Sequence, residues 1–202
     1  TGLIFASATT SLINEANTGI VFRSADNGDT WEPTQPIPDA WWLDSVLVSN
    51  ANTLLVGGTA YSTSSLGESE HGIIYRSTNN GDAWSPAIVL LYETVVHTLM
   101  QRLNGQLVAG TGPNGVILAS NDDGQHWGPL GSSPYAAHIN ALWETSSGEL
   151  YAGGARSDGY GVIYHFVADA WQDVGTLSGI AAVYALPDQD GTLYAGVVTE
   201  AG

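Results

Sequence analysis

Short apolar runs rich in Val, Ile, Leu and Tyr alternate along the chain with clusters of Gly, Ser, Thr, Asn and Asp. That is the pattern of many short strands joined by tight turns. No stretch carries the 3.6-residue periodicity of an amphipathic helix, which sets helical solenoids aside. Three strand-like elements recur. One occupies residues 3–7, 54–58, 107–110, 150–154 and 193–196, each copy built around a small apolar core that ends in Gly or Ser. A second occupies residues 19–22, 72–75, 115–118 and 161–164, and a third ends at Leu47, Leu99, Leu142 and Leu186.

After the second element comes a fixed turn pattern, Ser-x-Asx-x-Gly-x-x-Trp: Ser24, Asp26, Gly28 and Trp31; Ser77, Asn79, Gly81 and Trp84; Ser120, Asp122, Gly124 and Trp127. A worn, shortened fourth copy ends at Trp171. The Asx side chain can bond backbone amides further along, Gly supplies a positive-φ position, and Trp covers the neighbouring sheet. The repeat length, roughly 43 to 53 residues, suits a four-stranded blade. The predicted fold is an all-β propeller of four-stranded antiparallel blades. Its strands are ordered A to D, with the Asx turn between C and D. Residues 1–202 form one propeller domain or propeller segment with approximate blades 1–35, 36–87, 88–131, 132–176 and 177–202, the first and last incomplete.

These turns resemble the Asp-box, or BNR, repeat of sialidase-like, xyloglucanase-like, sortilin-like and photosystem-assembly-factor propellers, and the likeness covers nearly the whole chain. The resemblance implies that the turns are structural and lie away from most active sites of the family. Sialidase chemistry, as the family implies it, needs three converging arginines, a tyrosine nucleophile with a glutamate partner and an acidic aspartate. Only Arg23, Arg76, Arg102 and Arg156 exist, and the first two hold equivalent places before the turn. No catalytic residue is assigned, and glycosidase chemistry by a pair of carboxylates stays open. A calcium-loop reading of Asp26, Asn79 and Asp122 lacks the bidentate Glu six residues after each Gly.

Charge changes the picture of partners. The chain has 20 Asp and Glu against 4 Arg and no Lys, a net charge of −16, so nucleic acid and anionic surfaces are disfavoured. There is no cysteine and no apolar run long enough to span a membrane. The five histidines show no ligand spacing, so no metal and no cofactor are expected. His97 takes a strand A position that is Ser45, Asn140 and Tyr184 elsewhere.

Copies differ most between strands B and C, and that face also receives the D-to-A connections. Trp41, Trp42, Glu68, Glu70, His71, Tyr135, Arg156, Asp158 and Tyr160 are therefore the candidate ligand face, with Glu15 and Glu93 beside them. Trp41 and Trp42 beside acids suit a sugar platform; against this, neighbours on a strand point to opposite sides, which would bury one of them. A strand B at both ends predicts either an excised part of a longer propeller or strands shared with a second copy. The composition points to a non-catalytic extracellular or cell-surface module that is structural, adhesive or interacting. The alternatives are a glycan-binding or glycan-hydrolysing propeller and an assembly factor holding a protein partner.

Overall fold

A computed structural model describes residues 2–10, 18–64, 67–131, 135–189 and 192–199. Glu15 and the Ser133–Pro134 pair lie outside these residues. The described residues contain no helix and fall into two compact units, residues 1–96 and 97–202.

The first unit opens with a three-stranded sheet of β1 (Ile4–Thr10), β2 (Thr18–Ser24) and β3 (Glu32–Pro33). It continues with a four-stranded antiparallel sheet of β4 (Ala40–Val48), β5 (Leu54–Ser64), β6 (Gly67–Ser77) and β7 (Ser85–Leu90). β8 (Val95–Gln101) crosses into the second unit, where its sheet adds β9 (Leu107–Gly112), β10 (Ile117–Ser120) and β11 (Gly128–Pro129). The next sheet runs through β12 (Ala136–Glu144), β13 (Leu150–Arg156), β14 (Gly161–Val167) and β15 (Ala170–Leu177). Two small pairs follow: β16 (Ile180–Ala185) with β19 (Gly196–Thr199), and β17 (Asp188–Gln189) with β18 (Thr192–Leu193). Each four-stranded sheet is a simple meander, as the repeats predict.

Every residue of β9 is buried, as are Leu54, Leu55 and Val56 in β5. Such strands are covered on both faces, which is why they read as unbroken apolar runs rather than alternating ones. One core in the first unit joins Val21 of the first sheet to Leu43, Val56 and Ile73 of the second. Another, in the second unit, joins Val108 and Ile117 to Ile139, Leu150 and Val162. β3 and β11 are two residues long and end in Pro, β7 passes its Pro86 through a bulge at Ala87, and β15, with no Pro, runs for eight residues. A residue without an N–H donates nothing to a ladder, so the strand ends or bulges there.

Glycines fix how neighbouring strands meet. A Cβ on Gly57 would lie 2.7 Å from Val96, one on Gly110 2.5 Å from Ile139, and one on Gly153 2.6 Å from Val183. This makes Val96, Ile139 and Val183 equivalent; the pairing of Leu43 with Gly58, as of Ile139 with Gly154, adds Leu43 and corrects the strand A alignment by one residue in the second sheet. Val46, not Leu47, matches Leu99, Leu142 and Leu186, and Asp44, not Ser45, matches His97. The slip arises because Val46 and Leu47 are both apolar, and only the pairing of Val46 with Val56, as of Leu142 with Ala152, distinguishes them.

Candidate functional site

The Ser–Asx–Gly turns are closed hydrogen-bonded loops. Ser24 Oγ donates to Asp26 (2.7 Å) and accepts from the Gly28 amide (2.8 Å), while Asp26 accepts from the Thr30 amide (2.9 Å). Ser77, Asn79, Gly81 and Ala83 repeat this geometry, as do Ser120, Asp122, Gly124 and His126. Asn27, Asn80 and Asp123, with the glycine after each, have positive φ. Thr30 donates to the Asp26 carboxylate through side chain and backbone, and with Ser24 holds its pKa at about 2; His126 does the same for Asp122, well below the usual carboxylate range. The worn fourth copy is a two-residue hairpin with Ala168 and Asp169 both at positive φ and Val167 paired with Ala170.

The tryptophans dock in two ways. Trp84 Nε1 donates to the Gln35 carbonyl (3.0 Å) and Trp171 Nε1 to the Leu130 carbonyl (2.8 Å), each reaching the end of the preceding sheet. Arg23 reinforces the first joint with an ion pair to Asp82 (2.7 Å). Trp31 and Trp127 instead turn back to the carbonyls of Gly28 and Gly124. The shared role predicted for the indoles therefore holds for the turn backbone but not for every ring.

The candidate ligand residues form two groups. In the first unit, Trp41 and Trp42 do not point to opposite sides. Ala40 pairs with Ala60 and Trp42 with Thr59, so Trp41 is the extra residue of a β-bulge, which cancels the alternation. The rings stack at 4.1 Å and 16°, and Tyr61 closes on Trp41 at 5.0 Å. The bulge is made room for by Gly58, where a Cβ would strike the Trp42 carbonyl; Gly154 does the same beneath the His138 carbonyl.

The variable segment after β5 is not a loop. Strand pairing continues from Ala60–His71 through Tyr61–Glu70 and Thr63–Glu68 to Ser64–Gly67, because a run rich in Ser and Thr still supports a ladder. That register divides the candidate ligand face: Glu70 shares a face with Tyr61, Thr59 and Trp42, whereas His71 lies on the other face. There its Nε2 meets Ser69 Oγ at 2.9 Å, and its buried Nδ1 lacks a partner. Glu93, expected on the surface, is 4% exposed, and its backbone carbonyl accepts the Gly72 amide.

In the second unit, Tyr135 is 90% exposed. With Arg156, Pro113, Asn114, Ala136, Ala137 and Ser157 it lines a cleft of about 390 Å³. Arg156 is held by both carboxylate oxygens of Asp158 (3.1 and 2.8 Å), with Asp173 at 3.6 Å. Tyr160 is half exposed, and its carbonyl accepts the Arg156 amide. Behind this cluster Tyr164 is buried, its hydroxyl lacks a partner, and burial pushes its pKa up to about 12. Arg102 is likewise committed, to Glu144 at 2.8 Å. His97 Nε2 and His138 Nδ1 lie 3.0 Å apart.

Tyr61, Asp173 and the His97–His138 pair escaped the sequence reading. Tyr61 was legible in principle, since continuing the alternation of strand B through Gly57 and Thr59 places it on the same face.

Meander sheets in series, joined by glycine-spaced close contacts, define a β-propeller protein. No protein-family model matches the chain, and no curated protein matches it. Among solved structures, the chain is similar to the GH74 xyloglucanase from Xanthomonas campestris (TM-score 0.63, 15% identity, 95% of this chain and 30% of that one). It is also similar to YCF48 bound to D1 peptide (0.60, 20%, 91% and 58%). A protein of unknown function from Dyadobacter fermentans matches at 0.54 and 18%, over 88% of this chain and 62% of that one. The chain thus spans less than two thirds of the length of each, and the likeness is one of fold.

Proposed function

We propose that this chain is a non-catalytic, extracellular propeller module of the Asp-box type, structural or adhesive in role, which engages a partner through its B–C and D–A edge. The observation that carries this reading is the commitment of two turn carboxylates and of three of the four arginines. Asp26 and Asp122 are tied into their own turns, and Arg23, Arg102 and Arg156 are each paired with an acid. Each unit keeps exposed aromatic surface of its own: Trp42, 41% exposed, in the first and Tyr135, 90% exposed, in the second. Aromatic side chains are enriched at binding interfaces. Similar folds occur in a xyloglucanase and in a protein solved with a peptide, so the architecture suits either role. Incubation with xyloglucan oligosaccharides and sialosides is expected to give no turnover above buffer. Hydrolysis that disappears in Glu68→Gln or Glu70→Gln would overturn the non-catalytic reading.

A second reading, a glycan-binding module, is favoured by the stacked Trp41–Trp42 pair. Glycan-array binding without turnover, lost in Trp42→Ala, would establish it.

A further inference from the structure

We infer that the Trp41–Trp42–Tyr61 face is a docking site for a cationic side chain, an arginine or lysine presented by an extended protein segment. This rests on the interaction-module reading and gives its partner a chemistry.

The platform is preorganised. The bulge at Trp41 puts both indoles on one side of the sheet, and stacking at 4.1 Å with Tyr61 at 5.0 Å from Trp41 holds the inner ring from two directions. Trp42, the outer ring, is 41% exposed. Locking the rings before binding lowers the entropy that a partner must overcome. Beneath them, Thr59 Oγ1 is already spent on the Thr94 carbonyl (2.9 Å), so it offers no donor to a sugar hydroxyl.

Charge selects the occupant. Glu70 is exposed and pairs in register with Tyr61 on this same face. The two arginines of this unit stand at the other end of strands β2 and β6: Arg23 is bound to Asp82, and Arg76 pairs with Leu55. An indole face attracts a cation through its quadrupole, most strongly for Trp, and guanidinium adds planar stacking. A carboxylate beside it and a chain of net charge −16 attract the same group from a distance. A neutral sugar gains the stacking and a hydrogen bond to the Glu70 carboxylate, but neither the cation–π attraction nor the long-range charge attraction.

The test uses the whole chain and three probes: acetyl-Gly-Arg-Gly-Arg-Gly-amide, the same peptide with citrulline for arginine, and a xyloglucan heptasaccharide. Binding is followed by tryptophan fluorescence and calorimetry. The arginine peptide is expected to bind saturably, to weaken about five- to tenfold in Trp42→Ala and about threefold in Glu70→Gln, and to lose affinity in 0.5 M salt. Trp42→Tyr is expected to retain most of the binding. Asp29→Asn, which removes the same charge on the turn side of this unit, is expected to leave it unchanged. Circular dichroism confirms that each variant is folded; should Trp42→Ala unfold, Trp42→Gln replaces it.

Absence of saturation up to about 10 mM peptide overturns the inference, as does equal binding of the citrulline peptide or equal loss in Asp29→Asn. Binding of the heptasaccharide at Trp42 without hydrolysis removes the cationic assignment and leaves the non-catalytic reading standing. Hydrolysis of it removes both.

Discussion

Replacing Gly110 by alanine introduces one methyl group where adjacent sheets of the second unit meet closely. The new Cβ would sit 2.5 Å from Ile139 Cγ2, 2.8 Å from the Ile139 carbonyl oxygen and 2.9 Å from Thr98 Cγ2. Ordinary carbon contacts lie near 3.5–4.0 Å, so the overlap is about an ångström on three sides. Ile139 can rotate its side chain, but its carbonyl belongs to β12, which is paired to β13 at Gly154. Overpacking costs about 1–3 kcal/mol, and a clash that includes backbone belongs at the upper end, about 3 kcal/mol. For Gly153→Ala the three nearest atoms are all side-chain atoms, of Val183 and Leu186, which can yield, so about 1–2 kcal/mol is expected. Gly128→Ala, with nothing within 4 Å, is expected to stay within about 0.5 kcal/mol. Urea unfolding read by tryptophan fluorescence resolves these values, since 3 kcal/mol moves the midpoint by at least about 1 M. If Gly110→Ala unfolds at the same urea concentration as Gly128→Ala, the sheet spacing is not set by these glycines and the equivalence drawn from them fails.

Two further stability predictions follow from the turns. Asp26 is held at about 2 against an ordinary 3.8, so its contribution is present in full above its unfolded pKa and is lost as pH falls from about 4 through 2. Asp26→Asn, which adopts the side chain found at Asn79, is expected to fold at neutral pH and to show a flatter decline in melting temperature between pH 4 and 2; an unchanged acid limb refutes the assignment. Trp171→Phe removes the donor to the Leu130 carbonyl from a side chain only 8% exposed, with an expected loss of about 1–2 kcal/mol. Trp31→Phe, whose bond closes within its own exposed turn, is expected to cost less than half as much in the same urea assay.

The propeller was legible because its signals are local and repeated. Ser, Asx, Gly and Trp at fixed offsets encode a turn whose hydrogen bonds all close within a few residues, and the inner strands carry their double burial as apolar runs. What escaped was information held in register. The Gly-Gly pairs at 57–58 and 153–154 were visible, yet only coordinates show that the first glycine admits the next strand and the second admits a bulge. That bulge decides the orientation of Trp41, and alternation alone predicted the opposite. Glu70 and His71 are adjacent in sequence and so were grouped, although a continuing ladder separates them. A Ser- and Thr-rich stretch reads as loop by composition and pairs as strand once its partner extends with it.

In both units the indole joints point backwards along the chain: Trp84 lands on Gln35, and Trp171 on Leu130. During synthesis each acceptor carbonyl has therefore left the ribosome before its donor exists. A newly emerging hairpin finds a finished ledge to settle on, and the array can consolidate vectorially, behind the point of growth.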